Sequence, residues 1–463
     1  MTLRAVAGLV VLHAAFAVAG AGVLWALRGR ARRSDAVRLV GLGYLLGVAT
    51  LGLLWTVLLT LGVPFGGATI VLSVTLVVAV AVLVGRRRQP GVERSGPRSS
   101  RRATIVTLAG IVAVGGYLVA LFRVARVEGV FSFDGWAFWV TRGKAVYYFD
   151  GLDEQVFSTV PHPSYPPVIP ILDAAAFHAM GSVDVVTLHV QYWLLAVGFV
   201  VAVAGLLAGR VPPWILWSSL ALALVVPRLR TNVLAAQADL PLDYLVVTAA
   251  VLVALWLVDR HAWQLTTAAI LLACGALVKR EGLVLAACVL LAALAATGRT
   301  RRSAWPRLAI VGVAIVAATV PWRLWHATHG IEGETGTGGV DTLLTGRTID
   351  SLRLALDVLA DAERWSLVPT IGLVAAILAA VWGRRSHAVY ATVLVLLLTL
   401  AGASTSIVFP EIGVTADEAV NPIVRLTVAT VLVISCLTPL LLAGVWIGRP
   451  PVDDASAEEP AVP

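Results

Sequence analysis

Charge is scarce in this sequence. Only 13% of its 463 residues are Asp, Glu, Lys or Arg, against 59% apolar, where a soluble domain carries about 25% and about 45–50%. So sparse a charge excludes a disordered chain and a coiled coil, both of which depend on polar residues facing water. Cysteine is scarce too. Cys274, Cys288 and Cys436 each fall within an apolar run, which excludes a disulfide scaffold and reads as three small hydrophobes. Lysine is nearly absent: of 35 basic residues only Lys144 and Lys279 are lysine, a bias that a GC-rich genome explains. What abounds is hydrocarbon. Mean hydropathy is +0.89, more than one water-soluble core can hide, so the chain reads as an all-α polytopic membrane protein.

A bilayer core of about 30 Å takes about 20 apolar residues per helix. Suitable runs lie near 5–27, 38–62, 66–85, 103–122, 184–209, 240–258, 307–325, 366–382, 388–408 and 426–447, with shorter ones at 212–227, 262–278 and 281–298. That predicts a bundle of about thirteen spans. The first run lacks a basic leader and a small-residue cleavage site, so it reads as a retained helix. Arginine clusters follow the first span (Arg28, Arg30, Arg32, Arg33), flank the Gly/Pro/Ser-rich linker (Arg86 to Arg88, Arg101, Arg102), and recur at Arg299, Arg301, Arg302 and Arg307 and at Arg384 with Arg385. An N-terminus outside puts all four clusters in the cytoplasm, as the positive-inside rule asks, and makes the C-terminus cytoplasmic too. The net charge of +8 and pI near 9.8 are then accounted for by topology, with no nucleic acid implied.

The same threading puts segments 123–183, 326–365 and 409–425 outside, together with most of the 27 acidic residues. No Walker or dinucleotide-binding glycine loop faces the cytoplasm. Four regions are expected: 1–102, three spans and a basic cytoplasmic linker; 103–330, a transmembrane core with its large first outer loop; 331–448, an outer loop and three spans; and 449–463, a disordered cytoplasmic tail.

Several outward-facing motifs carry chemistry. Asp134-Gly135-Trp136 opens a segment with Trp139, Arg142, Lys144, Tyr147 and Tyr148, expected to lie as an amphipathic helix at the interface. It reads either as an aromatic belt or as a carboxylate poised to take a proton beside phosphate-binding cations. In His162-Pro163-Ser164-Tyr165-Pro166-Pro167 the Pro-Pro pair starts or redirects a helix ahead of an apolar stretch holding Asp173; with no second ligand at metal spacing, neither a metal nor a cofactor is indicated. In Gln237-Ala238-Asp239-Leu240-Pro241-Leu242-Asp243 the two carboxylates share one helix face, and Asp239 reads as a helix cap or a site residue. Lys279-Arg280-Glu281-Gly282 lies between two short runs, where its charges need partners: a hairpin turn, or a lipid phosphate site. Pro321-Trp322 and Arg425 sit at outer span ends, as interface anchors or as parts of the same site.

In this order the pieces resemble the GT-C class of membrane glycosyltransferases, nearest to the family of protein O-mannosyltransferases and the lipid A aminoarabinose transferase. The motifs that carry the resemblance are Asp134-Gly135-Trp136, Tyr165-Pro166-Pro167, Ala238-Asp239-Leu240-Pro241, Lys279 through Gly282 and Pro321-Trp322, over roughly residues 103–330. Two features depart from it. Gly135 stands where the protein mannosyltransferases carry Glu after Asp, and residues 1–85 lie outside the likeness.

The resemblance implies a GT-C-like bundle with short amphipathic helices in its outer loops, in a plasma membrane. It implies a polyprenyl-phosphate sugar as donor, an envelope glycan, lipid or protein as acceptor, and inverting transfer on the outer face. Asp134 would be the general base, with Lys279, Arg280, Lys144 and Arg425 on the donor phosphate. Trp136, Tyr165, Asp239, Asp243, Glu281 and Trp322 would bind substrate or support the site. A transporter or flippase of a lipid-linked sugar is the alternative, and a non-catalytic scaffold a third.

Overall fold

The computed structural model describes residues 1–29, 37–87, 100–233, 235–331, 347–408 and 416–446. Every expected apolar run is a helix: α1 (Leu3–Arg28), α2 (Val40–Thr60), α3 (Gly67–Arg86), α4 (Arg101–Ala125), α8 (Val185–Leu207), α9 (Pro213–Val225), α11 (Asp239–Asp259), α12 (Ala262–Val278), α13 (Glu281–Thr297), α14 (Trp305–Thr328), α17 (Val368–Trp382), α18 (Arg385–Val408) and α19 (Ala416–Trp446). Shorter helices connect them: α5 (Val140–Tyr148), α6 (Glu154–Thr159), α7 (Val168–Met180), α10 (Pro227–Val233), α15 (Arg347–Ala360) and α16 (Ala362–Trp365). Among the described residues nine helices are long and apolar enough to cross a bilayer. The protein is an all-α, multi-pass membrane protein.

One expectation holds and one is corrected. The Pro166-Pro167 pair stands at the head of helix α7, a 13-residue element that carries Asp173. The last helix begins at Ala416, well before the expected start at 426, so much of the supposed outer segment 409–425 is helical. The linker at 88–99, residues 30–36 with their arginines, the loop at 332–346 and the tail at 449–463 lie outside the described residues.

Burial sorts the helices. Over its span, α11 is 94% buried, whereas α3 and α4 are 17% buried. An apolar helix buried all round is a core helix, and one with exposed apolar faces meets lipid. Around α11 pack α8, α12, α13 and α19; α2 packs on α8 and α12, and α1 lies on α2, α3 and α7. The first three spans are thus built into the bundle. Helix starts follow local chemistry: Thr2 accepts from the Ala5 amide, Ser100 from Ala103, and Asp184 from Val186 and Thr187.

Contacts also sort the helix ends. The segment before α5 that carries Asp134, the starts of α11 and α19 and the α12–α13 turn meet through side chains at one end of the bundle. At the other, Arg210, just beyond α8, pairs with Asp259 at the end of α11, and Trp214 meets Trp446.

Candidate functional site

At the first end four distant segments deliver charge to one place. Arg425, in the first turns of α19, donates to Asp239 from Nε at 3.0 Å and from Nη2 at 2.7 Å, to the Gln237 amide oxygen at 3.2 Å, and to the Asp134 carboxylate. Lys279 donates to the other Asp239 oxygen at 2.8 Å and lies 3.1 Å from Glu281. The result is a chain of alternating sign: Asp134, Arg425, Asp239, Lys279, Glu281. Asp239 is its centre and takes both cations. The capping expectation for Asp239 is therefore corrected: Ala238 holds the cap position of α11 with no side-chain bond, and the carboxylate serves the cations instead.

Each member is placed by its own local geometry. Ser132 accepts from the Gly135 amide at 3.1 Å and donates to the Ala235 carbonyl, tying the Asp134 segment to the approach to α11. Residues Gly135–Trp139 then form a π-turn, closed by the Val140 amide on the Gly135 carbonyl; such turns insert a residue into the helix and re-aim its side chains. A Cβ at position 135 would lie 2.5 Å from Ser132 Oγ and 2.6 Å from Val130 Cγ1, so any side chain there would require Ser132 and Val130 to shift. Just before α11, Ala236 is held at φ 48°, a conformation that non-glycine residues adopt only under constraint.

Lys279 owes its position to helix length and to Gly282. The 17-residue helices α12 and α13 span about 25 Å at about 1.5 Å per residue, less than a bilayer core of about 30 Å, and the turn between them holds Lys279. A Cβ at position 282 would come 2.1 Å from the Gly275 carbonyl; glycine alone lets the two helices meet there. Burial pushes the Lys279 ammonium down, but Asp239 and Glu281 outweigh it and hold it above its ordinary value.

Tyr165 floors the site. Its ring centroid is 5.5 Å from Lys279 Nζ and 5.3 Å from Arg280 Cζ, and it stacks on His162 at 4.8 Å and on Trp139 at 5.5 Å. Its loop is pinned by Arg142, which is fully buried and donates from Nη2 to the carbonyls of Val160, Pro161 and His162 at 3.2, 3.0 and 2.8 Å.

The structure brings together Asp134, Asp239, Lys279, Glu281, Arg425, Arg280 and Tyr165. Asp243, one turn below Asp239, is 4% exposed, and its Oδ2 has no hydrogen-bond partner among the described residues. Three expected members stand apart. Lys144 forms none of these contacts; it lies on α5, which packs against α7. Trp136 is 55% exposed and meets Phe133, because the π-turn sends Phe138 and Trp139 inward in its place. Trp322 is buried in an aromatic group with Phe157 and Trp325, whose Phe157 ring lies under Arg142.

Sequence reasoning missed Arg228, on α10. Burial, then the like charges of Arg425 and Arg364, push its guanidinium below its ordinary value, and its Nε has no hydrogen-bond partner among the described residues. The signal was there: Arg228 and Arg230 fall outside in a threading that keeps arginine clusters inside. No protein-family model, curated protein or solved structure matches the chain.

Proposed function

We propose that the protein is a glycosyltransferase that moves a sugar from a polyprenyl-phosphate carrier to an envelope acceptor at the outer face of the plasma membrane. The observation that carries this reading is the bridging position of Arg425, between a carboxylate at the rim, Asp134, and one deeper in the bundle, Asp239. A donor phosphate competes with Asp134 for Arg425, since guanidinium binds phosphate as well as carboxylate. Lys279 and Arg280 supply the remaining positive charge. Donor binding thus releases the Asp134 carboxylate as the phosphate is neutralised.

Asp134 then accepts the proton of an acceptor hydroxyl. The acceptor oxygen attacks the anomeric carbon on the face opposite the phosphate, the bond from that carbon to the phosphate oxygen breaks, and polyprenyl phosphate leaves with the electron pair. The anomeric centre inverts. Fixed cations beside a departing phosphate stabilise the charge that develops there, and no nucleotide is consumed.

The test is reconstitution of the purified protein with a radiolabelled polyprenyl-phosphate sugar and a crude envelope acceptor. Label should pass to the acceptor with release of polyprenyl phosphate, and Asp134→Asn should slow transfer by about 10²–10⁴-fold without changing the melting temperature. Normal transfer by that variant sinks the base assignment. Label crossing the bilayer still attached to its lipid would make the protein a transporter instead.

A further inference from the structure

We propose that Asp173 is a proton-binding site: its carboxyl group keeps its proton in the folded protein and donates it to the Gln191 amide oxygen, joining α7 to α8. Asp173 is wholly buried, at 0% exposure. Gln191 donates from Nε2 to its Oδ1 at 2.9 Å, and the Tyr192 hydroxyl lies 3.2 Å from Oδ1 and 3.3 Å from Oδ2. Both partners are neutral. A buried carboxyl group without a cation gives up its charge by holding a proton. The bond matters to the charged cluster because α7 starts at Val168, directly after the Pro166-Pro167 pair that follows Tyr165. Fixing α7 to α8 fixes the helix from which the floor of that cluster hangs.

Among the described residues no cation comes to this carboxyl group. Gly143 of α5 lies directly on it, where a Cβ would come 2.8 Å from the Asp173 Cβ. Arg142 and Lys144 stand on either side of Gly143. Arg142 is taken by three carbonyls of the Tyr165 loop, and Lys144 makes no bond to Asp173. The imidazoles of the adjoining helices are engaged elsewhere. His13 of α1 bonds Tyr44 of α2 at 2.8 Å, His178 of α7 packs on the Tyr147 ring at 4.6 Å, and His189 of α8 bonds the Glu128 carbonyl at 3.0 Å. The Cys274 thiol of α12 faces Gly52 of α2.

Hydrogen-bond accounting places the proton. Gln191 Oε1 is buried and has no partner among the described residues. A carboxamide that donates to one oxygen of a carboxyl group turns its own oxygen toward the other, where only a protonated acid can supply a donor. With the proton on Oδ2, the amide, the phenol and the acid each have a partner, as buried polar groups do. Without it an acceptor and an uncompensated charge are buried together. A bound metal cation fits less well, because Gln191 and Tyr192 already direct their hydrogens at the carboxyl oxygens.

The inference does not depend on the proposed transfer, and its test needs no activity. Infrared spectra of the full-length protein in detergent at neutral pH should contain the carbonyl stretch of a protonated, hydrogen-bonded acid that is lost in Asp173→Asn; other protonated acids cancel in the difference. Asn carries an N–H where the acid carries its O–H, so this variant should fold and, at acid pH, melt as the unaltered protein does. Asp173→Leu, which strands Gln191 and Tyr192, should melt lower. A proton kept in the fold and lost on unfolding stabilises less as pH rises. Above about pH 4, the ordinary value of an aspartic acid, the unaltered protein should therefore fall in melting temperature relative to Asp173→Asn. A difference spectrum without the acid band would overturn the site. So would an Asn variant that melts as low as the Leu variant or does not fold, or an Asp-to-Asn gap that stays constant with pH. Stabilisation by sodium over a bulky organic cation at equal ionic strength, seen in the unaltered protein and absent from Asp173→Asn, would put a metal ion in place of the proton and overturn it too.

Discussion

The two ends of the bundle hold charge in different ways. At one, Arg210 grips Asp259 through two parallel contacts at 3.1 and 2.6 Å, and Gln264 adds a third at 2.7 Å. The arginine is 37% exposed and every partner comes from helix ends already packed together. At the other, Asp239 and Lys279 are nearly buried, the partners come from four segments, and a constrained backbone at Ala236 leads into the cluster. An exposed pair in water is worth about 0–1 kcal/mol. A buried chain of alternating charge costs desolvation and is a poor way to gain stability. The first arrangement is what holding a helix end requires, and the second needs another reason to exist. Perturbed, buried charge gathered in one place is characteristic of a working site.

Three substitutions probe that contrast, beginning with the largest expected effect. Asp239→Ala strands Lys279 and Arg425 without their shared carboxylate, and breaking a buried pair costs about 3–5 kcal/mol. The melting temperature in detergent should fall sharply, and Asp239→Asn should fall less because it keeps the shape and one acceptor. A melt equal to that of the unaltered protein would show the cluster to be solvated. Arg142→Met takes away the donors of three carbonyls and should cost about 1–3 kcal/mol, with transfer impaired through Tyr165; a stable variant with full transfer would detach the loop from the site. Arg210→Ala, at the opposite end, should cost below about 1 kcal/mol and leave transfer untouched. A large loss there would erase the distinction between the ends.

Much of the architecture was legible because it is written locally. Apolar run length predicts a membrane helix without any knowledge of its neighbours, and each expected run is a helix. The helix α7, signalled by Pro166-Pro167 at its head, is 13 residues long, and its burial is a matter of its surroundings, which run length does not report. The candidate site was legible in part. Asp134, Asp239, Lys279 and Arg425 stand out as charges next to apolar runs, a costly place for them. What no local pattern carries is that Arg425 lies against Asp134 across 291 residues, or that Asp239 is the hub. Trp136 and Lys144 misled because the π-turn at Gly135–Trp139 re-aims the segment, and helical spacing assumes no such insertion. Arg142 was noted only as one cation in a basic stretch, since nothing near it in sequence says that the carbonyls it binds lie 18 to 20 residues onward.

The contact between Gly282 and the Gly275 carbonyl also has an evolutionary consequence. Every base change that alters a glycine codon's meaning adds a side chain or ends the chain, and here the smallest addition would come 2.1 Å from a backbone oxygen. A lineage that keeps the ammonium of Lys279 where it is can therefore vary that codon only at its silent third base. Position 135 is crowded by the side chains of Ser132 and Val130, which can shift where a backbone oxygen cannot, so Gly282 is the residue of the site with the least freedom to drift.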